Sequence, residues 1–198
     1  MCEMKSMDAQ LQRDGAEVSR LCQEMNLTVT PFKEDMVFAA KEWQKDQKNQ
    51  FWRRTVIRCL FAATEALLWH MKHVAPKIAL ISGATLTEDD LVKAKGMKLV
   101  MTARGAKVQR RLQFRENVEA SFVLFGKACR VTVTITDDAD FDAFCATYSL
   151  RNRLMHPQRP SDPDVTDPEI ATSQRAVAWF ITSYGCLWQA CFDSVQRF

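Results

Sequence analysis

Apolar residues along this chain recur mostly three and four positions apart, the period of an amphipathic helix. Leu11, Val18, Leu21, Cys22 and Met25 keep that spacing and predict a first helix near residues 8–25. Thr30-Pro31 reads as an N-cap followed by a first helical residue, with Glu34 and Asp35 in the favourable first turn. A second helix is therefore expected to start there and to continue through Met36, Val37, Ala40 and Trp43, with the polar run 44–50 as its exposed end or a loop. Phe51 to His73 has no Gly or Pro and is apolar around most of its circumference, which predicts a central helix that Pro76 terminates. At ~100° per residue, Arg54, Arg58, Glu65 and Lys72 form a narrow polar stripe on it. Such a stripe faces solvent or lines a site.

Further along, Thr87-Glu88-Asp89-Asp90 looks like an acidic N-cap and Gly96 like a stop, bracketing a short helix. The basic stretch 98–107 reads as a loop, and residues 109–129 as a helix with Leu112, Val118, Phe122 and Phe125 on its apolar side. Val131 to Ile135 alternates and is β-branched, so a short strand or extended linker is expected. Asp137-Asp138 then caps a helix with Phe141, Phe144, Cys145 and Tyr148 as its spine. That helix stops near His156, because Pro157 disfavours helical geometry in the residue before it. After a Pro- and Asp-rich loop at 157–166, a last helix over 167–197 is expected to bury Val177, Phe180, Ile181, Tyr184, Leu187, Trp188, Cys191 and Val195.

Composition narrows this to an all-α fold with at most one short extended segment. The 198 residues fit one domain, the apolar fraction of 47% supplies a core, and six Gly with six Pro argue against a turn-rich β fold. Seven scattered cysteines, odd in number and without a CxxC pair, point to a reducing compartment. The first residues lack the apolar centre of a secretory signal, and no stretch reaches the ~18 apolar residues of a membrane helix. A cytoplasmic protein without membrane contact is the expectation. A net charge of +3 permits contact with a polyanion without implying one.

The chemistry concentrates in Arg151-Asn152-Arg153-Leu154-Met155-His156. His moves a proton near neutral pH, Arg is a permanent cation whose planar fork suits phosphate oxygens, and Asn adds a neutral donor and acceptor. Asn152 and His156 are four apart and share a helix face. These are parts for phosphodiester cleavage without a metal. Three dispersed histidines and no paired cysteines argue against a zinc site, no Gly-rich phosphate loop or nucleophilic triad is present, and no cofactor is expected. His70 and His73 read as surface residues at a helix end.

The run Arg151-Asn152-Arg153-Leu154-Met155-His156-Pro157 resembles the motif of the HEPN family of helical ribonucleases, an Arg, a polar residue and a His four to six residues later. The helix Arg53 to Leu68, with small residues and Glu65 before two leucines, resembles that family's first core helix. The resemblance covers residues 30–198, implying one helical bundle there, and leaves residues 1–29 as a helical extension. It implies a metal-independent endoribonuclease, a toxin or antiviral effector, in which the ribose 2′-hydroxyl attacks the adjacent phosphate and two protomers share one cleft. Arg151 would bind phosphate, His156 act as general acid or base, and Asn152 orient the site. Glu65 is a further candidate, to hold Arg151 or His156, and Arg153, Arg54 and Arg58 are candidate RNA contacts. A regulatory protein partner also fits such a role. The alternative is a non-catalytic helical module that dimerises or binds RNA or protein.

Overall fold

Two prolines expected at helix boundaries lie inside helices instead. In the computed structural model, which describes residues 2–135 and 138–195 with side chains over 16–135 and 138–194, α1 runs Cys2–Lys45 through Pro31 and α2 runs Gln50–Ser82 through Pro76. An interior proline loses one hydrogen bond and crowds the carbonyl four residues back, at about 3 kcal/mol. Each helix buries apolar residues on both sides of its proline: Val29 and Ala39 about Pro31, and Val74, Ala75, Ile78 and Ala79 about Pro76. At roughly 1.5–3 kcal/mol per large buried aliphatic side chain, that burial outweighs the local cost. His70 and His73 consequently sit within α2 rather than at its end.

The remaining elements are α3 (Glu88–Ala94), β1 (Met97–Met101), β2 (Lys107–Arg111), α4 (Phe114–Ala128), α5 (Ala139–Met155) and α6 (Asp167–Val195). The protein is mostly helical, as expected. The expected Asp137 cap, the end of the last helix at 196–197 and the side chains of Leu11 and Val195 lie outside the described residues. The chain divides into two compact units, one made of residues 1–26, 68–135 and 185–198, the other of residues 27–67 and 136–184.

In the first unit, α3 begins as predicted. Thr87 Oγ1 accepts from the Asp90 amide at 3.2 Å, and Asp90 accepts in return from the Thr87 amide at 2.7 Å. Gly96 ends it with φ +73°, a conformation glycine adopts without a side-chain clash. The next residues depart from expectation. The basic loop and the first turn of the expected 109–129 helix form an antiparallel hairpin, with Val100 opposite Val108 and Leu99 opposite Gln109, and α4 starts only at Phe114. Once β1 supplies a partner, the ladder pairs the inner edge of 107–111 and leaves the outer edge to solvent. Residues 131–135 form no strand. They pass the end of α4, where the Val131 amide donates to Gly126 O at 2.8 Å and Arg130 turns with φ +59°. Gly126 permits that approach, since a Cβ there would stand 2.2 Å from Val133 Cγ2. The core of this unit includes Leu21, Met25, Met71, Ile78, Phe122 and Phe125.

The second unit has an aromatic core. The Phe144 ring lies 5.4 Å from Phe61, 4.9 Å from Trp179 and 5.4 Å from Phe180, and Phe141 stacks on Trp179 at 4.7 Å. On α6 the buried residues are Ile170, Ser173, Ala176, Trp179 and Phe180, then Leu187 and Cys191 in the first unit. This corrects the expected face. Ile181 is 55% exposed, one step (~100°) round the helix from Phe180, while Val177, Tyr184 and Trp188 are half-buried.

Candidate functional site

Helix α5 places the Arg-Asn-x-x-x-His run in the second unit. Asp138 caps its start, accepting from the amides of Asp140 and Phe141 at 3.0 and 2.9 Å. Phe141, Phe144, Leu150 and Leu154 bury its inner side. The helix ends at Met155, with His156 as C-cap, φ −132° and ψ 62°, its amide donating to Asn152 O at 3.0 Å. The helix thus stops near His156, as expected before Pro157.

Arg151 is held from two sides. Its Nη2 donates to Glu65 Oε2 at 3.0 Å and its Nη1 to Asn152 Oδ1 at 3.1 Å. Of the two roles considered for Glu65, holding Arg151 is the one its geometry matches. The Arg151 side chain is 22% exposed, so a guanidinium with five N–H donors keeps some for an incoming anion. His156 is exposed, and among the described residues its ring makes no hydrogen bond, ion pair or aromatic contact. Five helical positions separate it from Arg151, about 140° of turn, so the two do not share a face. Asn152 and His156 do.

The three arginines expected to contact RNA are engaged with the chain's own backbone. Arg58 Nη2 donates to Leu154 O at 2.9 Å, satisfying one of the carbonyls a helix end leaves open. Arg54 Nη1 donates to Pro163 O at 3.3 Å. Arg153 donates to Asp164 O at 2.8 Å and pairs with Glu169 at 3.0 Å. Arg54 and Arg153 tie down the loop that follows His156, and Arg58 holds the helix end before it. The polar stripe on α2 thus finds partners within the chain, although Arg58 and Glu65 also meet solvent: Arg54, Arg58 and Glu65 in this unit, and Lys72 to Asn117 in the other.

Further residues of this loop anchor went unnoticed in the sequence. Arg53, 6% exposed, donates to Gln47 O at 2.6 Å and Val165 O at 2.8 Å and pairs with Asp167. Gln50 exchanges two hydrogen bonds with the Val165 backbone, at 3.0 and 2.8 Å. Asp162 accepts from the amides of Gln158 and Arg159 at 2.8 and 2.9 Å, which holds its carboxyl below the usual range. Glu169 is partly buried, which works upward, but the Thr166 amide and the Arg153 guanidinium pull its pKa below the ordinary value. The signal was composition: an arginine pair and a glutamine at the start of a long apolar helix, and several aspartates in one loop.

In the first unit a cavity of about 580 Å³ is lined by Val18, Cys22, Phe125, Cys129 and Trp188 among others. Burial pushes the Cys22 thiol up to about 11, so it stays protonated at neutral pH and is no ready nucleophile. Among the described residues no cluster of His, Cys, Asp and Glu is arranged to hold a metal ion. No helix of the described residues is long and apolar enough to cross a membrane.

Fold and site define a mostly helical protein whose penultimate helix ends in an Arg-Asn-x-x-x-His run, the arginine braced by a glutamate of the long helix α2. No protein-family model matches the chain, and no curated protein or solved structure matches it.

Proposed function

We propose that the second unit is the catalytic part of a HEPN-like, metal-independent endoribonuclease. The observation that carries this reading is the bracing of Arg151 by Glu65 and Asn152 beside an exposed His156 at an anchored helix end. A base removes the proton of a ribose 2′-hydroxyl, the oxygen bonds to the adjacent phosphorus, and the bond from phosphorus to the 5′-oxygen breaks. A proton delivered to that oxygen completes a cyclic phosphate and a free 5′-hydroxyl. Arg151 stabilises the charge on the non-bridging oxygens, and His156 supplies the proton transfer. Asn152 orients Arg151. Because Arg151 and His156 of one chain lie on different faces of α5, the complete site is assigned to a homodimer in which two helix ends meet. A toxin or antiviral effector held in check by a protein partner is the role such an activity fits.

The separation of Arg151 from His156 within one chain equally favours a second reading, a non-catalytic helical module in which Arg151 and Glu65 form a structural pair. One experiment separates them. Purified protein is incubated with labelled RNA and with DNA of the same sequence, in a strong chelator. The nuclease cuts RNA and spares DNA, which lacks the attacking hydroxyl. His156→Ala and Arg151→Ala should each lose ~10²–10⁴-fold, and Asn152→Ala less. Circular dichroism establishes that each variant is folded, and light scattering that the parent is dimeric. A folded pair of variants cutting at the parental rate removes these residues from the site, and a parent that cuts no RNA leaves the module.

A further inference from the structure

Between Leu91 and Arg115 the chain carries eight lysines and arginines and no aspartate or glutamate, although its total charge is only +3; the remainder is net acidic. This segment contains the β1–β2 hairpin of the first unit. Its tip is built for sharp reversal: Thr102 and Gly105 close a tight turn by the Gly105 amide donating to Thr102 O at 2.9 Å, with Gly105 at φ +78°. Its base is fastened by the Leu112 amide donating to Gly96 O at 3.0 Å and by the ion pair of Lys98 with Glu116.

The arrangement of charge is costly for the hairpin itself. The register sets Lys98 directly opposite Arg110, and like charges across a strand pair are destabilising. A two-stranded hairpin is marginal even without that penalty. Among the described residues Arg104, Lys107, Arg110 and Arg111 have no ion pair or hydrogen-bond partner, and all four are exposed. Elsewhere the arginines with described side chains are engaged: Arg20, Arg53, Arg151, Arg153 and Arg175 with carboxylates, and Arg54 and Arg58 with carbonyls. Four cations with unmatched side chains on one fastened hairpin, one of them facing a like charge, are accounted for by an anion absent from the chain.

We infer that the β1–β2 hairpin is a binding surface for the phosphate backbone of RNA, through Arg104, Lys107, Arg110 and Arg111. The choice of RNA rests on the proposed nuclease reading; the affinity for phosphodiesters rests on the hairpin alone. Residues 97–111 contain no aromatic side chain, so bases have nothing to stack on and contact is with the backbone rather than the sequence. The same lack of Trp, Tyr and Phe tells against a lipid surface, where such rings sit at the headgroup level.

The test uses the full chain carrying His156→Ala, so that RNA stays uncut, and compares it with the same chain bearing Arg104→Gln, Lys107→Gln, Arg110→Gln and Arg111→Gln. Fluorescence anisotropy with labelled single-stranded RNA gives Kd against salt. Four phosphate contacts contribute about 2.8 to the log–log slope for a single strand, or roughly 50-fold in Kd between about 50 and 200 mM salt, and the glutamine variant should lose that share. Replacing the three arginines by lysine should retain it. DNA of the same sequence should bind with the same slope, since only phosphates are read. An unchanged slope in a folded glutamine variant, stronger binding to DNA than to RNA, or binding to phosphatidylserine vesicles in place of RNA would each overturn the inference. Loss of cleavage activity in the parent leaves it standing, and a parent that cuts RNA without any hairpin-dependent binding removes the hairpin alone.

Discussion

The Arg151 guanidinium donates to the Glu65 carboxylate at 3.0 Å, joining α5 to α2 across 86 positions of sequence. Glu65 is 42% exposed at its side chain, so water screens the pair and its contribution to stability is about 0–1 kcal/mol. Its value to the proposed site is orientation. Glu65→Gln should leave the unfolding midpoint nearly unchanged and lower kcat for RNA cleavage by about tenfold with KM held, as for an interaction felt in the transition state. A loss of stability without a change in kcat would make the pair structural.

Arg53 presents the opposite case, a buried cation whose bonds organise the loop beyond His156. Arg53→Leu should destabilise the protein by roughly 2–4 kcal/mol, because Gln47 O and Val165 O each lose one of their two donors and Asp167 loses its ion-pair partner. Urea unfolding measures this. A cost below about 1 kcal/mol would mean that the loop carbonyls find water instead.

Trp179, rather than Trp188, is the packed tryptophan of α6, stacked on Phe141 and 8% exposed. Trp179→Ala should cost about 3–5 kcal/mol, and Trp188→Ala, half-buried on the wall of a cavity, distinctly less. Equal costs in chemical denaturation would contradict the burial difference between them.

The anchored loop also makes an acid-side prediction. The amides of Gln158 and Arg159 hold Asp162, and the Thr166 amide with Arg153 holds Glu169, each below its ordinary pKa. Both carboxyls therefore take up protons more readily in the unfolded chain. Their contribution to stability is complete at neutral pH and falls away as pH drops through about 4 and below. The stability gap between parent and Asp162→Asn should narrow from pH 7 toward pH 3. A gap independent of pH would show that the carboxylate charge contributes nothing.

Local chemistry alone determined several elements of this protein. The Thr87 capping box, the Gly96 stop, the Asp138 cap and the end of α5 before Pro157 depend on interactions within a few residues, which spacing and residue type report directly. The Arg-Asn-x-x-x-His run and Glu65 were visible for the same reason, as chemical types on helix faces. Tertiary structure decided the rest. Pro31 and Pro76 stay inside helices because burial on either side exceeds the cost of one lost hydrogen bond, a sum no local window contains. Residues 107–111 pair as a strand because β1 is opposite them, and 131–135, despite their β-branched alternation, do not pair because no strand is. Arg54, Arg58 and Arg153 looked like free cations in one dimension. Only the fold brings carbonyls of the 154–164 segment within their reach, and so separates the arginines that hold the chain together from those of the hairpin, which it leaves unmatched.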